Sequence, residues 1–168
     1  MPRRCEKLKS ISEMAEIAER LRRDGERLVL ANGCFDIIHV GHIRYFEGAR
    51  AAGDRLLVAL NSDTSVRSVK GEGRPLMPAE DRAEIVGSFE CVDYVVVFDE
   101  PTVDEVITRI RPAVHAKGTD YTPDTVPERE TVRSYGGEVA IVGDPKHHAT
   151  RDIIDVIVER FSRREGGE

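Results

Sequence analysis

Short β-branched apolar runs take turns with amphipathic helical segments along the chain, and this alternation restricts the fold more than any other feature. The runs are "RLVLAN", "DRLLVALN", "VDYVVVF", "AVHAK" and "EVAIVG". Helical patterns are expected over 41–52, 78–89 and 102–110, and at the closing "TRDIIDVIVERF". Five apolar strands separated by helices predict an α/β fold. It is a Rossmann-like, doubly wound five-stranded parallel sheet covered on both faces, with right-handed crossovers. At 168 residues and 40% hydrophobic side chains, the chain suffices for one domain with a real core.

One segment precedes the first strand. "ISEMAEIAERLRRDG" sets Ile11, Met14, Ile17, Ala18 and Leu21 on one face and closes at Gly25, which reads as a leading helix. With no obvious place in a five-stranded core, it is expected to pack across a sheet edge or onto a partner subunit, and a homodimer follows. The expected organisation is an N-terminal helical extension over 1–26, the α/β domain over 27–162 and a disordered tail over 163–168.

A formal net charge of −6 with 33% charged residues gives no global attraction to nucleic acid or anionic membrane. Any phosphate site must therefore be a local concentration of positive charge. Cys5, Cys34 and Cys91 are too few and too widely spaced for a disulfide framework or a zinc knuckle. No apolar run approaches the roughly 18 residues of a membrane span. The expectation is a soluble cytoplasmic protein.

In a doubly wound sheet, ligands bind beyond the carboxyl ends of the strands, where strand order reverses. After the first strand comes "GCFDIIHVGH", with Gly33, Asp36 and the pair His39 and His42 around Gly41. Gly41 lets a ligand approach the backbone, and His42 lies at a helix start, whose free N–H groups attract anions. Two imidazoles there suit a phosphate. A histidine pair three apart could also be surface chemistry or a fortuitous metal chelate, but its place after the first strand favours the phosphate. The second post-strand segment, "NSDTSVRSVKGEGRPLMPAEDR", reads as a flexible loop in which Arg67, Lys70, Arg74 and Arg82 could fold onto a triphosphate, although such a loop can equally be solvated surface. No Walker motif is present, and the glycines at 71 and 73 are not a dinucleotide fingerprint, which excludes P-loop and NAD readings. "GDPKHHATRDII" offers a second basic helix entrance, with Lys146, His147, His148 and Arg151 around Thr150 as the expected N-cap. Zinc is the weaker rival there, since no cysteine or carboxylate set stands at ligand spacing, and no protein-held metal is expected.

"GCFDIIHVGH" resembles the signature of the HxGH nucleotidyltransferases. Taken with "ALNSDTSVRSVKGEGRPLMPAEDRAEIV", "VDYVVVFDEPT", "KGTDYTPD" and "GGEVAIV", it is similar in order and spacing to the adenylyltransferase domain of bifunctional D-glycero-β-D-manno-heptose 1-phosphate kinase/adenylyltransferases, from about Leu8 to Phe161. The resemblance implies transfer of AMP from ATP to a sugar 1-phosphate, giving an ADP-sugar and pyrophosphate, with Mg²⁺ entering through the phosphates of ATP. On the same basis His39, His42 and Lys70 are the catalytic candidates. Asn32, Gly33, Cys34, Phe35, Gly41, Arg74, Arg82, Lys117, Gly118, Asp120, Tyr121, Thr150 and Arg151 would bind the nucleotide and its phosphates. Asp36 and Asp63 would orient substrate or metal. The sequence contains no kinase half, so the kinase step is expected on a separate chain.

The sequence departs from the family at the last helix. Where a Ser-Thr-Thr turn is usual, this chain has Ala149 at the serine position and Arg151 at the second threonine, so a hydroxyl contact is lost and a cation gained. Two other readings compete: a cytidylyltransferase using CTP and a polyol phosphate such as glycerol 3-phosphate, and a non-catalytic nucleotide-binding module. The presence of both histidines speaks against the module.

Overall fold

The computed structural model describes residues 6–145 and 149–162. It contains a parallel five-stranded sheet in the order β3-β2-β1-β4-β5, formed by β1 (Leu28–Gly33), β2 (Arg55–Asn61), β3 (Tyr94–Phe98), β4 (Val114–Lys117) and β5 (Glu138–Ile141). The helices are α1 (Ile11–Arg23), α2 (Val40–Ala51), α3 (Asp63–Lys70), α4 (Ala79–Gly87), α5 (Asp104–Ile110), α6 (Arg129–Ser134) and α7 (Thr150–Phe161). The five expected strands are all present.

Strand alternation divides the core into two layers. Leu28 and Leu30 of β1 face one side with Leu57, Ala59 and Val96, under α1, α5 and α6. Val29 and Ala31 face the other with Leu56, Val58 and Leu60, under α2 and α4. The chain runs outward from β1 to β3 and then crosses by α5 to β4 on the opposite side of β1. Strand order therefore reverses between β1 and β4, and their carboxyl ends diverge into a crevice.

The leading helix has a place in this core after all. Met14, Ala18 and Leu21 of α1 are buried against the same face as α5, with Ile11 and Ile17 packed at the margin. Two-sided burial of a parallel sheet needs helices on both faces, and α1 fills the area beside α5. This corrects the expectation of an edge or partner-subunit site and removes the reason for giving α1 a second subunit. Its start is fixed by a capping box, in which Ser10 Oγ accepts from the Glu13 N–H at 3.1 Å and the Glu13 carboxylate accepts from the Ser10 N–H at 2.7 Å. Upstream, Lys7 and Lys9 exchange backbone hydrogen bonds with Val95 of β3, so pairing begins before α1.

A second correction concerns the segment after β2. Its sequence reads as a loop, but its first half is the helix α3. Ser62 Oγ caps it by accepting from the Ser65 N–H at 3.2 Å, and Gly71, at φ 90°, ends it. At the other end of the chain, α7 has no fully buried residue, and Val156, Ile157, Val158 and Phe161 are exposed. The expected tail over 163–168 lies outside the described residues, and no helix among the described residues is long and apolar enough to cross a membrane.

Candidate active site

The crevice beyond β1 and β4 is a cleft of about 800 Å³. It is bounded by the loop after β1 and the start of α2. The end of α3 with Arg74, the segment 117–121, the loop after β5 and the first turn of α7 complete its walls. Asn32, Gly33, Cys34, Phe35, Gly41, Lys70, Gly118, Asp120 and Tyr121 all line it, together with the two histidines.

His39 is the N-cap of α2. Its Nδ1 accepts from the Gly41 N–H at 3.1 Å, and the His42 Nδ1 faces the His39 N–H at 3.3 Å. The rings stack with centroids 3.9 Å apart and 24° between their planes. An Nδ1 that accepts from a backbone N–H must be unprotonated, so each neutral ring carries its proton on Nε2. The local backbone thus makes both imidazoles Nε2–H donors at a helix N-terminus.

Behind the pair sits Phe35, buried and edge-on to His42 at 5.3 Å. It adopts φ 45°, and its ring lies so close to Gly33 that a Cβ there would come within 2.9 Å of Cζ. Gly33 is therefore required by the ring that supports the histidines. The opposite wall is tied down similarly. The loop after β5 is held by the Arg44–Asp144 ion pair at 2.8 Å and by Thr119 Oγ1 donating to the Asp144 carbonyl at 2.9 Å.

Several expected site residues occupy other posts. Arg82 is fully buried and does not line the cleft. Its guanidinium donates to the carbonyls of Cys34 (2.6 Å), Asn61 (2.9 Å) and Met77 (3.0 Å), and to the Asp63 carboxylate (2.8 Å). Asp63 is thereby taken out of the cleft as well. The Asp36 side chain is fully buried and clasps the loop after α3. It accepts from Arg74 Nε at 2.7 Å and from the backbone N–H groups of Leu76 and Met77 at 2.8 to 2.9 Å. Burial alone would raise its pKa, but these donors outweigh it and hold the carboxyl below its usual range. Thr150 is not the N-cap of α7. Ala149 holds that position, and Thr150 Oγ1 instead donates to the Ile37 carbonyl at 3.2 Å, joining α7 to the loop after β1. Lys146, His147 and His148 lie outside the described residues.

The cleft cations differ in how their charge is met. Arg74, Arg44 and Lys117 have carboxylate partners, whereas among the described residues Lys70 and Arg151 line the cleft without an ion pair. Lys117 Nζ stands 3.4 Å from Asn32 Oδ1, 3.4 Å from Glu128 Oε2 and 5.0 Å from the Tyr121 ring centroid. The structure adds Glu128, His115, Asn61, Arg44 and Tyr45, none of them among the expected site residues. Long-range partners define Glu128, His115, Arg44 and Tyr45, which neither spacing nor motif marks, whereas Asn61 opens the basic segment after β2 and its partners Cys34, Ser65 and Arg82 appear only in the fold. No group of three or more His, Cys, Asp or Glu able to hold a metal occurs among the described residues. Asp36 and Asp63, expected to orient substrate or metal, are instead paired with Arg74 and Arg82.

Comparison with known proteins decides the family. The cytidylyltransferase-like family model matches residues 30–162. The chain belongs to the cytidylyltransferase-like family. The match takes in the cleft, with the histidine pair of the HxGH signature at 39 and 42. Over 156 residues the chain is 46% identical to the bifunctional protein HldE of Pelobacter propionicus, covering 93% of this chain and 32% of that one. Against HldE of Geobacter sulfurreducens the identity is 47% over 155 residues, covering 92% and 32%. The chain spans about a third of the length of the curated relatives it matches. Among solved structures, a lipopolysaccharide core biosynthesis protein from Thermoplasma volcanium GSS1 has the same fold, with a TM-score of 0.63 at 23% identity over 73% of this chain and all of that one.

Within this cytidylyltransferase-like domain, Arg82 is a structural cation. Arg82→Met should lower unfolding free energy by about 3 kcal/mol or more, because three buried carbonyls lose their donor. Nucleotide affinity should fall together with stability, because the loop that carries the histidines loses its anchor, as urea denaturation and calorimetric titration of the same variant would show. Lost affinity at unchanged stability would return Arg82 to the phosphates.

Proposed function

We propose that the chain is an adenylyltransferase that moves AMP from Mg-ATP to a sugar 1-phosphate of the D-glycero-D-manno-heptose type, releasing pyrophosphate and forming an ADP-sugar. The stacked histidine pair carries this reading. Transfer needs no covalent protein nucleophile. An acceptor phosphate oxygen attacks the α-phosphorus, the bond from that phosphorus to the bridging oxygen breaks, and pyrophosphate leaves with the electron pair. Charge grows on the α-phosphoryl oxygens and on the departing group. Donors already fixed where it grows stabilise that transition state more than the ground state. His39 and His42, locked as Nε2–H donors by their own helix start, supply them, and the N–H groups of α2 add to the field.

The two cleft cations without an ion pair among the described residues divide the remaining work. Lys70, at the end of α3, and Arg151, in the first turn of α7, flank the histidines and neutralise the β- and γ-phosphates. A cation in the first turn opposes the helix dipole, which an anion in front of it would offset. Arg74 is steered by Asp36 and contributes through its remaining N–H groups. The choice of ATP and of a heptose phosphate is supported by the 46–47% identity to HldE proteins.

Pyrophosphate release should be observed with Mg-ATP and D-glycero-β-D-manno-heptose 1-phosphate when ATP and CTP are crossed with a panel of sugar and polyol phosphates. Turnover with CTP and glycerol 3-phosphate alone would replace the reading. His39→Ala and His42→Ala should each lower kcat by about 10²- to 10³-fold with a smaller change in KM. Near wild-type turnover in a folded variant would remove that histidine from the transition state.

Arg151→Ala should weaken Mg-ATP binding by about 1 to 3 kcal/mol, the scale of a charge-assisted hydrogen bond, with partial recovery in Ala149→Ser/Arg151→Thr. Unchanged affinity by calorimetry would point Arg151 away from the nucleotide.

A further inference from the structure

Below the cleft floor, beside the strand-order reversal, lies a polar cluster that the reaction described above does not use. His115 of β4 is fully buried, and Glu128, just before α6, is nearly so. The Glu128 Oε2 atom is 3.4 Å from His115 Nε2 and 3.4 Å from Lys117 Nζ. Neither His115 nor Glu128 lines the cleft, but Lys117 does. Among the described residues, both ring nitrogens of His115 and the Oε2 of Glu128 make no hydrogen bond. A buried ion cluster with loose contacts contributes little to stability, and well-packed apolar residues often do as well or better. Its yield must lie in what it does to Lys117.

Electrostatics specifies that effect. Lys117 faces Glu128 and His115 from below, the Tyr121 ring from the loop after β4 and the Asn32 amide from β1. The Tyr45 hydroxyl, from α2, is engaged by the Ala116 carbonyl at 2.7 Å. With a carboxylate 3.4 Å away, the ammonium is almost charge-neutral as a unit. An incoming polyphosphate would feel the anion nearly as strongly as the cation. A neutral acceptor atom would not, since a hydrogen bond is short-ranged and the contacts Lys117 now makes are long enough for a tighter one to replace. The open space at Gly118, where a Cβ would meet nothing within 4 Å, and the Tyr121 ring suit a flat uncharged group.

We propose that Glu128, backed by His115, is a positioning residue that holds Lys117 as a charge-compensated donor for the uncharged nucleoside half of the nucleotide, so that the phosphates are left to Lys70 and Arg151. The inference rests on the nucleotidyl-transfer reading. In it, Glu128 separates two kinds of lysine in one cleft: an uncompensated one for phosphate and a compensated one for base or ribose. Burial pushes the Glu128 carboxyl up, but His115 and Lys117 outweigh it and bring it to about 2, so it stays ionised throughout the working range.

Calorimetric titration with Mg-ATP and with tripolyphosphate, which carries the phosphates without the nucleoside, tests this. Lys117→Met should weaken Mg-ATP at least tenfold and leave tripolyphosphate within twofold. Glu128→Gln, which strips the compensation, should tighten tripolyphosphate several-fold, steepen its salt dependence and reduce the preference for Mg-ATP, while Glu128→Asp restores the wild-type preference. The double variant Lys117→Met/Glu128→Gln removes both charges of the pair and keeps the test available should a single variant not fold. It too should lose the preference for Mg-ATP. Equal weakening of both ligands by Lys117→Met would make Lys117 a phosphate ligand and overturn the proposal, as would Glu128→Gln that lowers the melting temperature but moves neither affinity. Wild-type protein that binds tripolyphosphate but neither Mg-ATP nor Mg-CTP would overturn the transferase reading together with this inference.

Discussion

The cleft exists because one buried guanidinium holds three departing segments of chain together. Parallel strands end side by side with their carbonyls unpaired, and the segments leaving β1 and β2 would otherwise expose those groups to a dry interior. Arg82 meets the carbonyls of Cys34, Asn61 and Met77 at once and closes on the Asp63 carboxylate. Only a planar cation with forked donors can serve so many acceptors from one point. With that hub in place, the loop after β1 has one geometry, and the histidines, Phe35 and Asp36 it carries are fixed relative to β2 and α4.

From the hub outward, each contact sets the next. Asp36 leaves the fixed loop and clasps Arg74, Leu76 and Met77, so the segment after α3 follows the loop after β1. Thr150 binds the Ile37 carbonyl of that same loop, bringing α7 into register with α2. Two helix N-termini thereby converge on one space with Lys70 and Arg151, which have no ion pair among the described residues, in a chain whose net charge is negative. Local concentration of positive charge replaces any global attraction, and the paired cations nearby provide placement without adding field.

Much of this could be read from the sequence, for identifiable reasons. The five strands declare themselves because a sheet buried on both faces demands continuous β-branched runs, and the histidine pair declares itself because a ligand site must follow a strand. The first half of the basic segment after β2 hid its helix. With eight residues and only Ser65 and Val66 buried, α3 has little periodic signal, and the Ser62 cap and Gly71 stop were its only marks. Arg82 shows why charge is ambiguous in one dimension: a cation facing buried carbonyls is written with the same letter as one facing phosphate. The cap of α7 was misplaced by a single residue, which turned Thr150 from an acceptor for its own helix into a donor to another segment. For Glu128 and His115 no local pattern exists, since strand pairing and the turn before α6 bring them together.

The proposed transfer depends on the two imidazoles being neutral Nε2–H donors whose orientation the start of α2 imposes. Long-range proton–nitrogen correlation spectra of ¹⁵N-labelled protein report directly which ring nitrogen carries the proton. Both His39 and His42 are predicted to show a protonated Nε2 and an unprotonated, hydrogen-bonded Nδ1 before nucleotide is added, and to keep that tautomer when a non-hydrolysable ATP analogue binds. A proton on Nδ1 of either ring in the free protein would contradict the account, because that nitrogen could no longer accept from the α2 backbone.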